Sequence, residues 1–283
     1  MTASAWLTVT RGDAPLLVSI PHTGTDIPAA IEDRLVSPWL ARKDADWWID
    51  RLYGFAADLG ATVVHTAISR TVIDVNRDPG GASLYPGQAT TALVPTETFD
   101  GEPLYRLGEH PDAADIAARR RRYFEPYHEA LEWELARLAA RHRRVVLYDC
   151  HSIRSVIPRL FPGELPQFNL GTNNATSCDP GLTRTVERAC DLSGLSRVTD
   201  GRFRGGYITR HYGHPASHIH AIQMELGCRG YMDEPAVPDE GNWPAPYSDA
   251  RAAALRRVLV TVLEQALAWA AGGRVPAPPT GVS

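Results

Sequence analysis

The stretch "PLLVSIPHTGTDIP", residues 15–28, decides how the chain is read. Leu16, Leu17, Val18 and Ile20 make a short apolar run of the kind found in a strand buried on both faces. His22 follows, between a proline and a Thr-Gly pair, and so stands at the strand's carboxyl end. In open α/β sheets the loops leaving that edge form the crevice where ligands bind. A lone histidine there serves equally well as a loop cap. The reading depends on whether other strand ends carry residues of the same kind.

They do. "ATVVHTAISR" (61–70) is β-branched and delivers Ser69 and Arg70 to a strand end, followed by "TVIDVNRDP" (71–79). "RRVVLYDCHSI" (143–153) repeats the first pattern, with a strand at Val145–Tyr148 running into Asp149 and His151. "ASHIHAIQMELG" (216–227) reads as a further strand with Glu225 near its end. Helical stretches alternate with these strands. In residues 42–61, Trp47, Leu52, Tyr53 and Ala56 recur near helical spacing and Gly60 closes the helix. Residues 110–143 form a long helical region entered or broken at Pro126, and helices are expected over 181–194 and 247–270. This alternation predicts a layered α/β fold, with residues 1–272 as a single domain and the Pro- and Gly-rich 273–283 as a flexible tail.

With 283 residues, 44% of them apolar, the chain can bury a substantial core. A formal charge of −4 gives no basic footprint for nucleic acid or an anionic membrane. No apolar run reaches membrane-spanning length, and the N-terminus lacks a signal-peptide pattern. The four cysteines show no CxxC spacing and read as free thiols. A soluble cytoplasmic protein acting on a small polar molecule is the expectation. Lys43 is the sole lysine among 29 basic residues, so an arginine by itself says little about guanidinium chemistry, and the block at 119–122 reads as a solvated face.

Metal-assisted hydrolysis suits these strand ends. A zinc ion with three protein ligands activates water near neutral pH and polarises a carbonyl. His22 and His151 are natural ligands, and the third should be acidic or an imidazole. "DADWWID" offers Asp44, Asp46 and Asp50, each of which would also suit a helix start, where carboxylates meet the macrodipole. Asn76 and Arg77 side by side match a carboxylate clamp, although Asp74 pairing with Arg70 or Arg77 is an equally ordinary salt bridge. "GRFRGGYITRHYG" (201–213) surrounds Tyr207, Arg210 and Tyr212 with glycines and reads as a flexible substrate loop or a surface hairpin. Glu225 either handles protons or pairs with an arginine such as Arg229. No Walker A, GxGxxG or G-x-S-x-G element is present. Cys150 is a poor nucleophile candidate, because adjacent strand residues such as His151 point to the opposite face.

The segments "SIPHTGTDIP", "DADWWIDRLY", "SRTVIDVNRDP", "LYDCHSI", "FNLGT", "GGYITRHYG" and "HAIQMELGCRGYMDE", in this order over most of the chain, closely resemble the N-formylglutamate amidohydrolases. That family is similar in arrangement to zinc carboxypeptidases and aspartoacylases. The resemblance implies a three-layer α/β fold of the zinc carboxypeptidase-like (phosphorylase/hydrolase-like) kind, with a mixed sheet between helices and one zinc ion at the strand ends. It implies His22, Asp46 and His151 as ligands, Glu225 as catalytic base and Arg70 at the oxyanion. Arg77 and Arg210, with Asn76, Tyr207 and Tyr212, would contact a dianionic N-acyl amino acid. The implied reaction releases formate from N-formyl-L-glutamate, as in histidine degradation. Deacylation of a related N-acyl acid and a binding protein on a hydrolase scaffold are the alternatives. Thr25 departs from the carboxypeptidase pattern, which has Glu three residues after its first His. Gln167 and Asn174 stand where the family leads one to expect Asp and Gly.

Overall fold

Among the described residues, seven strands make one mixed sheet: β1 (Leu7–Thr10), β2 (Leu16–Ile20), β3 (Thr62–Thr66), β4 (Val145–Ile153), β5 (Phe168–Gly171), β6 (Arg197–Thr199) and β7 (Ile219–Gly227). Their spatial order is β1-β3-β2-β4-β7-β5-β6. The central four, β3-β2-β4-β7, are parallel, while β1 and β5 run antiparallel to β3 and β7. The computed structural model describes residues 5–82, 87 and 90–272. The expected flexible tail, 273–283, lies outside the described residues.

The helices are α1 (Ala29–Glu32), α2 (Ile49–Leu52), α3 (Ala113–Arg119), α4 (Glu125–Ala139), α5 (Pro180–Asp191), α6 (Tyr207–Tyr212) and α7 (Asp249–Ala270). Alternation along the strands assigns them to two faces. Leu16, Val18, Val146, Tyr148 and Met224 pack with Leu182 and Val186 of α5 and Leu259 and Leu263 of α7. Leu17, Val145, Leu147 and Ala221 pack with Leu131 and Leu135 of α4 and Ile208 of α6. The sheet therefore lies between helical layers, as expected. Each fully buried leucine in these clusters contributes about 1.5–3 kcal/mol relative to exposure.

The same alternation sorts the polar residues. Asp149 and His151 share the parity of Leu147, and Gln223 and Glu225 share that of Ala221, so all four lie on the α4 and α6 side. Cys150 falls in the opposite cluster, where burial pushes its thiol well above the usual range; this removes it as a nucleophile.

Several expectations are corrected. β4 does not stop at Tyr148 but runs to Ile153, because β7 pairs with it throughout and sets His151 opposite Glu225. Segment 201–213 is neither a loop throughout nor a surface hairpin, since it contains α6, whose Ile208, Thr209 and Tyr212 are buried. Arg119 is not solvated: it is buried against Asp115 and the Tyr105 hydroxyl. Gln167 has a structural task, donating from Nε2 to the Gly227 carbonyl at 2.8 Å and so tying the start of β5 to the end of β7.

Candidate active site

His22 sits two residues beyond β2, and its backbone carbonyl accepts from the Asp46 N–H at 2.9 Å. That bond carries the 44–48 turn back over the end of β2. The turn includes Trp48 in the left-handed region, φ 66°, with its indole N–H bonded to the Ala245 carbonyl. The Asp46 carboxylate is thereby aimed at β4, where its Oδ2 accepts from His151 Nδ1 at 3.0 Å and from the Ser152 N–H at 3.2 Å. His22 Nδ1 lies 3.7 Å from the same oxygen. One ligand atom from each of His22, Asp46 and His151 falls within 4.8 Å of the others, and all three residues are buried.

Both imidazoles are oriented from behind by carboxylates. His22 Nε2 is 2.8 Å from Asp74 Oδ1, and His151 Nε2 is 2.8 Å from Asp149 Oδ2. A carboxylate only accepts, so each Nε2 carries a hydrogen, and Nδ1 is the nitrogen left to face the cluster, in His151 once it gives up the proton it shares with Asp46. The carboxylates are fixed in turn. Asp149 accepts from Ser19 Oγ at 2.8 Å and from Asn76 Nδ2 at 3.2 Å, while Asp74 accepts from Arg70 at 2.7 Å and from the Asn76 N–H at 2.9 Å. Burial alone would raise the Asp74 carboxyl, but His22, Arg77 and Arg70 outweigh it and hold it well below the usual range.

His22 Nδ1 is buried with no hydrogen-bond partner. Such an orphan is costly unless something else binds it. Two imidazole nitrogens and a carboxylate oxygen brought this close together, each imidazole backed by an acid, match the kind of donor set and supporting shell that zinc takes. The residues therefore fit a zinc ion. Burial opposes charge on His151, yet Asp149 and Asp46 hold its pKa well above that of an ordinary histidine. A cation entering the site would displace that proton.

A cavity opens onto this cluster, lined by His22, His151, Arg70, Asn76, Arg77, Gln223 and Glu225 together with an apolar wall. Arg70 is held at its edge by Asp74 and lies 4.8 Å from the Phe99 ring centre. Phe99 is itself fixed because its N–H donates to Asp44 at 2.6 Å and Lys43 bonds both Asp100 and Glu102. Asp44, weighed as a ligand from sequence, thus supports the wall instead, and Asp50 is exposed. Glu225 is buried in the cavity lining, and burial, helped by Asp46 and Asp149 against His151 and Arg70, pushes its pKa up to about 8.

Glu225 therefore keeps its proton in the metal-free fold over a range where the unfolded chain has released it. Between about 4.5 and about 8 the native state binds more protons, so stability falls as pH rises through that window. Metal-free Glu225→Gln is expected to lose less stability than the parent across the same range. Thermal denaturation of chelator-treated protein at stepped pH checks this, and parallel curves would contradict it.

Three expected substrate contacts are not brought to the cavity. The Tyr212 hydroxyl is bonded to His128 Nδ1 at 2.8 Å, Tyr207 stacks on His211, and Arg210 Nε donates to the Gly205 carbonyl. None of the three is among the lining residues. Asn76 does line the cavity, but its side chain is committed: Oδ1 accepts from the Ile208 N–H at the start of α6, and Nδ2 serves Asp149. Sequence reasoning missed the lining residues Phe99, Ser152, Arg202 and Gln223 and the orienting role of Asp149. Only the last had a signal, since Asp149 and His151 are two apart on a strand and so share a face.

The N-formylglutamate amidohydrolase family pattern matches residues 14–232. N-formylglutamate deformylase of Pseudomonas aeruginosa is 46% identical over 264 residues, covering 93% of this chain and 96% of that protein. The enzyme of the same name from Pseudomonas putida is 46% identical over 266 residues, covering 92% and 95%. The crystal structure of N-formylglutamate amidohydrolase from Ralstonia eutropha JMP134 superposes with a TM-score of 0.76 at 27% identity, covering 93% of this chain and 97% of that one.

Proposed function

The chain belongs to the N-formylglutamate amidohydrolase family, and from that premise we propose that it hydrolyses N-formyl-L-glutamate to formate and L-glutamate with one zinc ion held by His22, Asp46 and His151. The observation that carries the reading is the buried three-ligand cluster opening onto a cavity lined also by Glu225 and Arg70. When bound, zinc supplies Lewis acidity that makes a water nucleophilic near neutral pH and polarises the formyl carbonyl.

The chain's own residues supply the rest. Glu225 takes the proton from the attacking water and delivers it to the departing amine nitrogen, a role for which a pKa near the working pH is favourable. Arg70, pinned by Asp74 and backed by Phe99, meets the negative charge that develops on the formyl oxygen. Arg77 receives the α-carboxylate, which lies one carbon from the scissile nitrogen. Its guanidinium is braced by the Thr91 carbonyl and hydroxyl and stands 3.8 Å from Asp74, which holds His22. The setting for such a reaction is histidine degradation in the cytoplasm. Among the described residues no helix is long and apolar enough to cross a membrane.

Formate release by the zinc-loaded protein from N-formyl and N-acetyl derivatives of Glu, Asp and neutral amino acids tests the assignment. N-formyl-L-glutamate should have the highest kcat/KM. Turnover of none of them would favour a binding protein, and a preference for an acetyl derivative would shift the reading to a related deacylase.

Arg77→Ala is expected to lower kcat/KM for N-formyl-L-glutamate by about 10- to 100-fold, the worth of one charge-assisted contact. N-formyl-4-aminobutyrate lacks the α-carboxylate, so its kcat/KM should fall far less. An equal fall on both would mean that Arg77 is structural.

A further inference from the structure

We propose that Ser19 and Tyr127 are positioning residues for the metal cluster, a chain of two buried hydroxyls that acts through Asp149 to hold His151 in its ligating orientation. This deepens the zinc reading above and rests on it. Ser19 is the one polar residue in the run Leu16–Ile20, and it is fully buried. A strand buried on both faces has no use for a hydroxyl unless that hydroxyl finds a partner. The sheet register supplies one, since it sets Ser19 of β2 directly beside Asp149 of β4, and Ser19 Oγ is 2.8 Å from Asp149 Oδ1. Ser19 Oγ is also 2.9 Å from the hydroxyl of Tyr127, a fully buried residue of α4.

The direction of each bond is fixed. The Asp149 carboxylate only accepts, so Ser19 donates its single hydrogen to it and must accept from Tyr127. Burial pushes the Tyr127 phenol well above its usual range, so that hydrogen stays available for donation. The chain runs from Tyr127 through Ser19 to Asp149, whose other oxygen holds His151 Nε2.

The two carboxylates behind the ligand imidazoles are stabilised differently. Asp74 faces two guanidiniums, Arg70 at 2.7 Å and Arg77 at 3.8 Å. Apart from His151, the side-chain contacts described for Asp149 come from neutral donors, the Ser19 hydroxyl and the Asn76 amide. A buried carboxylate short of donors is costly, and it responds by taking up a proton or by turning toward other groups. Either response releases the His151 ring. Hydroxyls satisfy the oxygens without cancelling the charge, which keeps Asp149 a full-strength acceptor behind the ligand.

The test is zinc affinity, read by competitive titration against a chelator, for the parent, Ser19→Ala, Tyr127→Phe and the double variant. Thermal denaturation of each metal-free protein is recorded alongside. Ser19→Ala should weaken zinc binding about tenfold, at the lower end of what groups orienting a ligand contribute. Tyr127→Phe should weaken it about threefold, the size of one neutral hydrogen bond. The double variant should bind zinc no more weakly than Ser19→Ala alone, because the phenol acts only through the serine. A merely structural role would lower the melting temperature of the metal-free protein and leave the zinc affinity of either variant within about twofold of the parent, and that result would overturn the assignment. Losses that simply add in the double variant would overturn it too, since Tyr127 would then act by packing. A parent that binds no zinc would instead overturn the zinc reading itself, and this inference with it.

Discussion

Replacing Glu225 with glutamine is expected to lower kcat for N-formyl-L-glutamate by about 10²- to 10⁴-fold, the contribution of one well-placed proton-transfer group, while zinc content and KM change little. Glu225 sits in β7 directly opposite His151 of β4, so the sheet register itself brings the carboxylate to the ligand cluster. The sequence left open a plain ion pair with Arg229. That arginine instead donates to Ser155 Oγ at 2.7 Å and pairs with Glu164, and it is not among the cavity-lining residues. The described contact to the Glu225 carboxylate is a long one, 3.4 Å from Gln223 Nε2. A carboxylate desolvated this far and bonded this weakly is a stronger base than one at the surface. Glutamine keeps the volume and a hydrogen-bonding oxygen but cannot carry the proton from water to amine. A Gln variant with near-parental kcat, or one that has lost its zinc, would show that Glu225 is not the base.

What the sequence made legible follows from which forces leave local traces. β2, β3 and β7 are apolar or β-branched runs with strong internal signals; Gly60 does take the left-handed region at φ 74°, but it closes only the 3-10 turn Ala57–Leu59, because the helix expected over 42–61 is reduced to α2. β1 and β6 escaped because "LTVT" and "RVT" are short edge strands without a fully buried face; pairing alone makes them strands. α6 escaped because six residues behind two glycines carry too little periodicity. It is held by tertiary bonds, with the Gly206 N–H on Gln223, the Tyr207 N–H on the Asn76 carbonyl and the Ile208 N–H on the Asn76 side chain. Those bonds also turn the expected substrate clamp at Asn76 into a latch. The pairing of Asp74 with His22 spans 52 residues, and no local pattern records such a contact. Arg202 stayed hidden for a compositional reason, since one arginine among so many does not stand out until the cavity wall around it is seen.

His22→Ala and His151→Ala are each expected to lose most bound zinc, and with it nearly all activity, while the sheet stays intact. Both rings line the cavity, so truncation widens a polar cleft rather than opening a hole in the apolar core. A catalytic zinc has three protein ligands, and removing one leaves a two-point site from which the ion readily dissociates. Asp46→Ala should behave likewise, with an added cost to the 44–48 turn, because Asp46 also accepts from the Ser152 N–H. Asp74→Asn separates orientation from ligation. It keeps an acceptor for His22 Nε2 but removes the charge, and a change of this kind behind a ligand typically weakens metal binding about 10- to 100-fold without abolishing it. Zinc content by atomic emission after dialysis, together with competitive titration against a chelator, orders the four variants. The expected order of retained affinity is parent, then Asp74→Asn, then the three ligand variants. Full zinc occupancy in both histidine variants would mean that the ion binds elsewhere. An Asp74→Asn variant as empty as His22→Ala would mean that the orienting carboxylate, and not the imidazole alone, defines the site.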